Sequence, residues 1–157
     1  LLGLIFLWAF FDKLLGLGFT TCKLESGIDF LCENAWVMGG SPTYGYLSFA
    51  TKGPFAPLFQ SLAGLPGVDI IFMTGLLAVG LALTLGILVD IASIGGALML
   101  FLMWLAVFPP EHNPLVSDHV IYIVLMIMFI LVHAGRKIGF GTWWHSRAFV
   151  KRNHWLE

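Results

Sequence analysis

The chain has 157 residues, of which 59% are hydrophobic and 11% charged, with a net charge of −1 and a mean hydropathy of +0.91. Soluble domains average roughly 45–50% apolar and about 25% charged residues, so the excess apolar surface is expected to face lipid. The small net charge and the absence of a long basic run exclude a nucleic-acid-binding footprint. We therefore expect a single-domain integral membrane protein, residues 1–157, that binds no nucleic acid.

Four apolar runs predict four membrane-spanning helices in an all-α bundle. A span needs about 20 residues, and the runs cover approximately residues 1–19, 68–89, 91–108 and 118–136. Because Leu1 is not Met and already lies within an apolar run, we expect the natural N-terminus upstream. Small residues along the second run favour close helix approach, and Pro109-Pro110 is expected to end the third helix.

The first two predicted spans each contain acidic residues. Asp12 and Lys13 interrupt the first run, where charges are costly unless they pair, snorkel or face a polar cavity. Asp69 lies at the start of the second span, where a carboxylate complements the helix dipole.

Between these spans lies a long loop, residues 20–67, rich in Gly, Pro, Ser and aromatic residues. Turn-forming strings such as GGSPTYGY precede PFAPLFQSLAG, which predicts a short amphipathic surface helix. Cys22 and Cys32 are separated by nine residues, a spacing that differs from the CxxC redox motif. They are therefore disulfide candidates, with a structural bridge favoured over a catalytic dithiol in an oxidising compartment.

The basic residues predict the orientation of the chain. Five of the eight Lys and Arg residues lie from residue 136 onward, mixed with tryptophans, which is typical of an interfacial segment. Positive charge prefers the cytoplasm, so the C-terminal tail, residues 137–157, is expected there. The long loop, Asp12-Lys13, Asp69 and the connection after helix three then converge on the extracytoplasmic face of the cell membrane.

That connection, FPPEHNPLVSDHVIY at residues 108–122, contains the densest polar chemistry of the chain. Ser117 is a candidate N-cap for helix four. A histidine beside carboxylates can exchange protons with a quinone oxygen, with apolar walls from aromatic neighbours. The same residues could ligate a metal, but no HExxH pattern occurs and no metal site is predicted. A capped helix start with solvated charges is the third interpretation. The residues of this candidate site are Trp104, Glu111, His112, Asn113, Asp118, His119 and Tyr122.

Several strings together resemble the DoxX family of small membrane proteins. They are LGLIFLWAFFDKLLGLGF, GGSPTYGYLSFATKGPF, LAGLPGVDIIFMTGLLAVGLAL, FPPEHNPLVSDHVIY and GRKIGFGTWW, in the family's order over nearly the whole chain. The resemblance implies a four-helix membrane protein associated with quinone-linked redox complexes, such as thiosulfate:quinone oxidoreductase. The cysteine pair departs from the family's usual pattern. The positions that match the family are Asp12, Lys13, Asp69, Asn113, Asp118 and His119.

The sequence thus predicts an all-α integral membrane four-helix bundle with a long extracytoplasmic loop between helices one and two. We expect a membrane subunit of a thiosulfate:quinone oxidoreductase-like enzyme, with quinone as a substrate and no covalent cofactor. The candidate catalytic residues are His119, Asp118, Lys13 and Asp12. His119 and Asp118 would handle protons, and Lys13 would attract an anion or quinone oxygen. Asp69 is assigned to quinone binding with the aromatic and polar residues of the connection. The alternative is a non-catalytic accessory subunit of a larger membrane complex, with other membrane or extracytoplasmic subunits, or a second copy, as partner.

Overall fold

A computed structural model describes residues 1–24, 27–28, 30–109, 117–136, 139–147 and 150. The regular secondary structure of these residues is helical apart from one antiparallel pairing of two short strands, β1 (Lys23–Leu24) and β2 (Gly27–Ile28). The α-helices are α1 (Leu2–Leu15), α2 (Ala56–Gln60), α3 (Pro66–Leu85), α4 (Val89–Ala106), α5 (Asp118–Leu131) and α6 (Gly141–His145). Shorter turns are 3₁₀ at Trp36–Met38 and Ala134–Arg136 and π-helical at Tyr46–Ala50.

Two of these helices, α3 with 20 residues and α4 with 18, are long and apolar enough to cross a membrane. The helices α1 and α5 have 14 residues each. At 1.5 Å per residue, 14 residues extend about 21 Å, less than the ~30 Å of a bilayer's hydrocarbon core. The predicted first and fourth spans are therefore shorter as regular helices than their apolar runs.

Glycines in the left-handed conformation set two helix ends that the sequence prediction placed too late. Gly16 (φ 65°) ends α1, and its amide donates to the Asp12 carbonyl. Gly86 (φ 75°) ends α3 in the same way. Side chains with a Cβ disfavour this conformation, so glycine is the usual residue just past a helix end. The turn between α3 and α4 consequently precedes Asp90, which lies in the first turn of α4.

The long helices pack side by side: α1 contacts α3, α3 contacts α4, and α4 contacts α5. Their main core combines side chains from all four of these helices: Leu2, Phe6, Phe10, Met73, Leu76, Val79, Leu100 and Met126. A second, smaller core joins Leu47 and Phe59 of the long loop to Ala106 at the end of α4. The loop is thereby packed onto one end of the helices.

The described part of the tail packs at the opposite end. The Phe140 amide donates to the Leu85 carbonyl at 2.9 Å, and Arg147 lies over the ring of Trp143 at 4.1 Å. His133 Nδ1 is 3.4 Å from Asp90 Oδ2 at this end. His133 therefore lies at the end of the helices opposite the long loop.

Candidate functional site

A cavity of about 1010 Å³ lies between the long loop and the adjacent helix ends. The loop supplies most of its lining, and α1, α3, α4 and α5 each contribute. Its polar or titratable lining residues are Lys13, Thr20, Thr21, Asn34, Ser41, Thr43, Tyr44, Tyr46 and His119. Its apolar lining residues include Leu47, Phe49, Phe59, Leu62, Val68, Ile71, Phe72, Met99, Leu102, Met103 and Ala106. Small-molecule sites have this composition, with apolar walls and a few polar groups, and volumes of ~300–1,000 Å³.

Lys13 and His119 meet at this cavity, although 105 residues separate them in the sequence. Lys13 belongs to the last turn of α1, and its Nζ donates to Thr20 Oγ1 at 3.3 Å. His119 is in the first turn of α5 and is partly buried. The antiparallel order of the helices places the end of α1 and the start of α5 on the same side, so the cavity has two titratable side chains on opposite elements.

Asp12, the neighbour of Lys13, is 1% exposed and organises the chain just after α1. Its carboxylate accepts hydrogen bonds from the backbone amides of Phe19, Thr20 and Thr21 at 3.0–3.1 Å, and from the Thr20 hydroxyl. A buried charge is tolerated when it receives several such bonds. These contacts give Asp12 a structural role in shaping the cavity wall at Thr20 and Thr21.

Asp69 performs the same task at the start of α3. Its Oδ1 accepts hydrogen bonds from Ser41 Oγ at 2.9 Å, from the Thr43 amide at 3.1 Å and from Thr43 Oγ1 at 2.6 Å. The carboxylate thus fixes a second loop segment against the helices, in addition to lying at the positive end of the α3 dipole. Ser41 and Thr43 line the cavity. Asp12 and Asp69 are not among its lining residues, but they accept hydrogen bonds from residues that are.

The loop also donates hydrogen bonds to backbone carbonyls at the C-terminal end of α4. The last four carbonyls of a helix lack partners within it, and here Tyr46 Oη donates to the Met103 carbonyl at 2.9 Å and the Lys52 amide to the Ala106 carbonyl at 3.0 Å. The amides of Val107 and Phe108 satisfy the remaining two. Burial raises the pKa of Tyr46 to about 12, so its hydroxyl remains a donor at physiological pH.

Three other predicted site residues lie near this end of the molecule without lining the cavity. Asp118 is exposed in the first turn of α5, and Tyr122 packs against the main helix core. Trp104 stacks on Phe101 and tilts against Phe108, and its buried Nε1 has no hydrogen-bond partner among the described residues. Glu111, His112 and Asn113 lie outside the described residues.

Ser117 takes the N-cap position of α5, in an extended conformation (φ −109°, ψ 158°). Its hydroxyl, however, makes no capping bond to α5, and it is buried without a partner within the described part of the chain. The local pattern thus predicted where the helix begins but not the bond that the side chain makes. Among the described residues, no group of three or more His, Cys, Asp or Glu side chains could hold a metal ion.

Cys22 and Cys32 form a disulfide, with 5.7 Å between their Cα atoms. Cys22 is 7% exposed and lines the cavity, directly after the segment that Asp12 fixes. Cys32 is partly exposed. Gly16 (φ 65°) lies so close to the disulfide that a Cβ at that position would collide with Cys22 Sγ.

The loop's contribution to the site was not predicted from the sequence. Tyr44, Tyr46, Ser41 and Thr43 all come from GGSPTYGY, which was interpreted only as a turn-forming string. The available signal was the unusual density of hydroxyl groups and aromatic rings in a loop beside buried carboxylates. The placement of this segment at the cavity, however, depends on hydrogen bonds from Ser41 and Thr43 to Asp69, which is 26 or more positions away in the sequence.

Comparison of the chain with protein-family models, with curated proteins and with solved structures gives no match.

Proposed function

We propose that the protein is a multi-pass membrane protein that binds a quinone head group in the cavity between its long loop and its helices. The observation that supports this most directly is the meeting of Lys13 and His119 on a cavity whose other walls are mainly apolar and aromatic. A quinone has the matching chemistry: a flat apolar ring with two carbonyl oxygens. The volume of about 1010 Å³ accommodates such a ring and part of an apolar tail.

In this proposal Lys13 donates a hydrogen bond to one quinone oxygen. The ammonium group favours the negative charge that develops on that oxygen during reduction. His119 exchanges protons with the other oxygen, since the ordinary pKa of imidazole lies near neutrality. Asp118, exposed beside it in the first turn of α5, connects His119 to water.

The DoxX resemblance extends the proposal to thiosulfate:quinone oxidoreductase-like activity. Two thiosulfate ions, joined through a new sulfur–sulfur bond, would supply two electrons, and one quinone would take them up with two protons as quinol. Other subunits could contribute the donor site. Lys13 would in that case also attract the anionic donor toward the loop end of the molecule.

The proposal includes a four-helix membrane bundle with the loop end extracytoplasmic. Apolar side chains are exposed on α3, α4 and α5, with Ile70, Ile94 and Leu131 at least 55% exposed. Exposed apolar area of this kind marks a lipid or partner surface. The five basic residues from position 136 onward favour a cytoplasmic tail.

A binding measurement with a soluble short-tailed quinone tests the proposal. In detergent, Lys13→Met should weaken binding by about tenfold or more, because a hydrogen bond from a charged donor contributes roughly 1.5–3 kcal/mol. His133→Ala is the matched control, since His133 is 55% exposed and contacts Asp90 away from the cavity. Equal affinity in the wild type and Lys13→Met, or no binding at all, would contradict the assigned site.

The accessory-subunit alternative is supported by the same exposed apolar surface, which suits a protein partner as well as lipid. Gentle detergent extraction followed by mass spectrometry of co-migrating proteins separates the two functions. A stable larger complex whose quinone reductase activity is unchanged by Lys13→Met would favour the accessory role. Thiosulfate-dependent quinone reduction that is lost in Lys13→Met would favour the catalytic role.

A further inference from the structure

The disulfide is located where the loop, the end of α1 and the cavity meet. Cys22 follows Thr20 and Thr21, whose backbone amides Asp12 holds, and all three residues line the cavity. Lys13 lines the same cavity and donates to Thr20 Oγ1. The hydrogen-bonded segment therefore holds Cys22 beside the proposed quinone site. A bridge that only stabilised the loop would not need to lie at the cavity.

The two cysteines face different surroundings. Cys22 is 7% exposed and belongs to the cavity wall. Cys32 is more exposed, and its neighbours Phe30, Leu31 and Glu33 are all exposed at the surface. A thiol too large to enter the cavity could therefore approach Cys32, while only a molecule inside the cavity could approach Cys22.

We propose that the Cys22–Cys32 disulfide is a redox centre that transfers electrons from an external protein or peptide dithiol to the quinone in the cavity. This inference rests on the proposed quinone site and takes a dithiol, in place of thiosulfate, as its electron donor. It reverses the expectation of a purely structural bridge, because the chain's fold, and not the cysteine spacing, brings Cys22 to the cavity.

In the first half-reaction, a thiolate of the external dithiol attacks Cys32 Sγ. The Cys22–Cys32 bond breaks, and Cys22 leaves as a thiolate, which the positive charge of Lys13 favours. The second external thiol then displaces Cys32 from the mixed disulfide. The external dithiol has been oxidised to a disulfide, and both cysteines of the chain are reduced.

In the second half-reaction, the Cys22 thiolate bonds to a ring carbon of the quinone. The Cys32 thiolate attacks Cys22 Sγ and re-forms the disulfide, and the sulfur–carbon bond breaks with its electron pair remaining on the ring. The quinone takes up the two protons that the thiols released, with His119 as the relay, and leaves as quinol. Two electrons and two protons pass from dithiol to quinone in each cycle.

The first test uses the wild-type chain in detergent without oxygen. The protein is reduced with dithiothreitol, desalted and mixed with a fully substituted benzoquinone, which has no open ring position for irreversible thiol addition. Quinol is measured by absorbance, and free thiols by the mass shift after alkylation. We expect one quinol per chain and the loss of both thiols, as a two-electron couple requires. Thiols that persist while quinone is bound would overturn the redox role of the disulfide without contradicting the proposed quinone site.

The second test compares the wild type with Cys22→Ser, Cys32→Ser. The double variant should lose dithiothreitol-dependent quinone reduction down to the rate without protein, and quinone binding measured on the same preparation shows that its cavity is still formed. Dithiothreitol-dependent turnover in the double variant equal to that of the wild type would overturn the redox role. Absence of quinone binding in the wild type itself would instead refute the proposed function, so the two failures are distinguishable.

A labelling measurement examines the asymmetry of the pair without turnover. In Cys22→Ser, the remaining Cys32 should react rapidly with a bulky hydrophilic maleimide. In Cys32→Ser, the remaining Cys22 should resist that reagent, because only the cavity gives access to it. Equal labelling of the two single variants would contradict the assignment of Cys32 to the external dithiol and Cys22 to the quinone.

Discussion

At the residue scale, the buried carboxylate of Asp12 holds the start of the long loop in place through hydrogen bonds. Its two oxygens together accept four hydrogen bonds from residues 19–21. Asp12→Asn keeps the shape but replaces one acceptor oxygen with an NH₂ group, which faces an amide donor and leaves it unpaired. We expect a loss of about 2–3 kcal/mol in unfolding free energy, measured from denaturation in detergent followed by tryptophan fluorescence.

Asp90→Asn is the matched control at the other end of the molecule. The Asp90 side chain is 25% exposed, and its Oδ2 lies 3.4 Å from His133 Nδ1. Surface pairs of this kind contribute about 0–1 kcal/mol. If the two variants lost equal stability, the assignment of the Asp12 carboxylate to loop formation would be wrong.

At the element scale, the contact between α1 and α3 depends on small residues. A Cβ on Gly80 would lie 2.8–2.9 Å from Leu7, including its backbone nitrogen, and one on Gly3 would meet the Thr84 backbone nitrogen at 2.7 Å. Such approach is typical of membrane helix pairs. Because backbone atoms cannot rotate away, Gly80→Ala should destabilise the protein by about 1–3 kcal/mol, measured by the same denaturation assay.

Gly95→Ala provides the control within a neighbouring helix. The nearest atom to a Cβ at this position is Val79 Cγ2, at 4.0 Å, an ordinary van der Waals distance. Alanine favours helix over glycine by about 1 kcal/mol, so this variant should be neutral or more stable. Similar destabilisation by both substitutions would contradict the assignment of the Gly80→Ala effect to the close approach of α1 and α3.

At the scale of the whole molecule, the proposed topology separates two ends of the helices. Ser61 is exposed beside α2 at the loop end, and Ser146 is exposed beside α6 at the tail end. In intact cells, a membrane-impermeant maleimide should label Ser61→Cys but not Ser146→Cys, and inside-out vesicles should give the reverse. The native cysteines are in a disulfide and do not react. Labelling of both positions from one side would exclude the proposed orientation.

The sequence by itself determined the helical class, the apolar character of α3 and α4, and the approximate position of each long helix. These features follow from local composition, since a long apolar run can pair its backbone polar groups within itself as a helix. The helix ends at Gly16 and Gly86 were visible as glycines, but no local rule indicated which of the chain's 18 glycines would adopt a positive φ.

Only the tertiary structure decided which polar residues share a site. Asp12 and Asp69 have the sequence character of functional carboxylates, yet they are occupied by loop donors. Lys13, Cys22, Tyr46 and His119 meet because antiparallel helices place their ends together and the loop folds back over them. The physical reason is that periodicity and composition act over a few residues, whereas a cavity is formed by contacts between segments distant in sequence, whose directions depend on the complete packing.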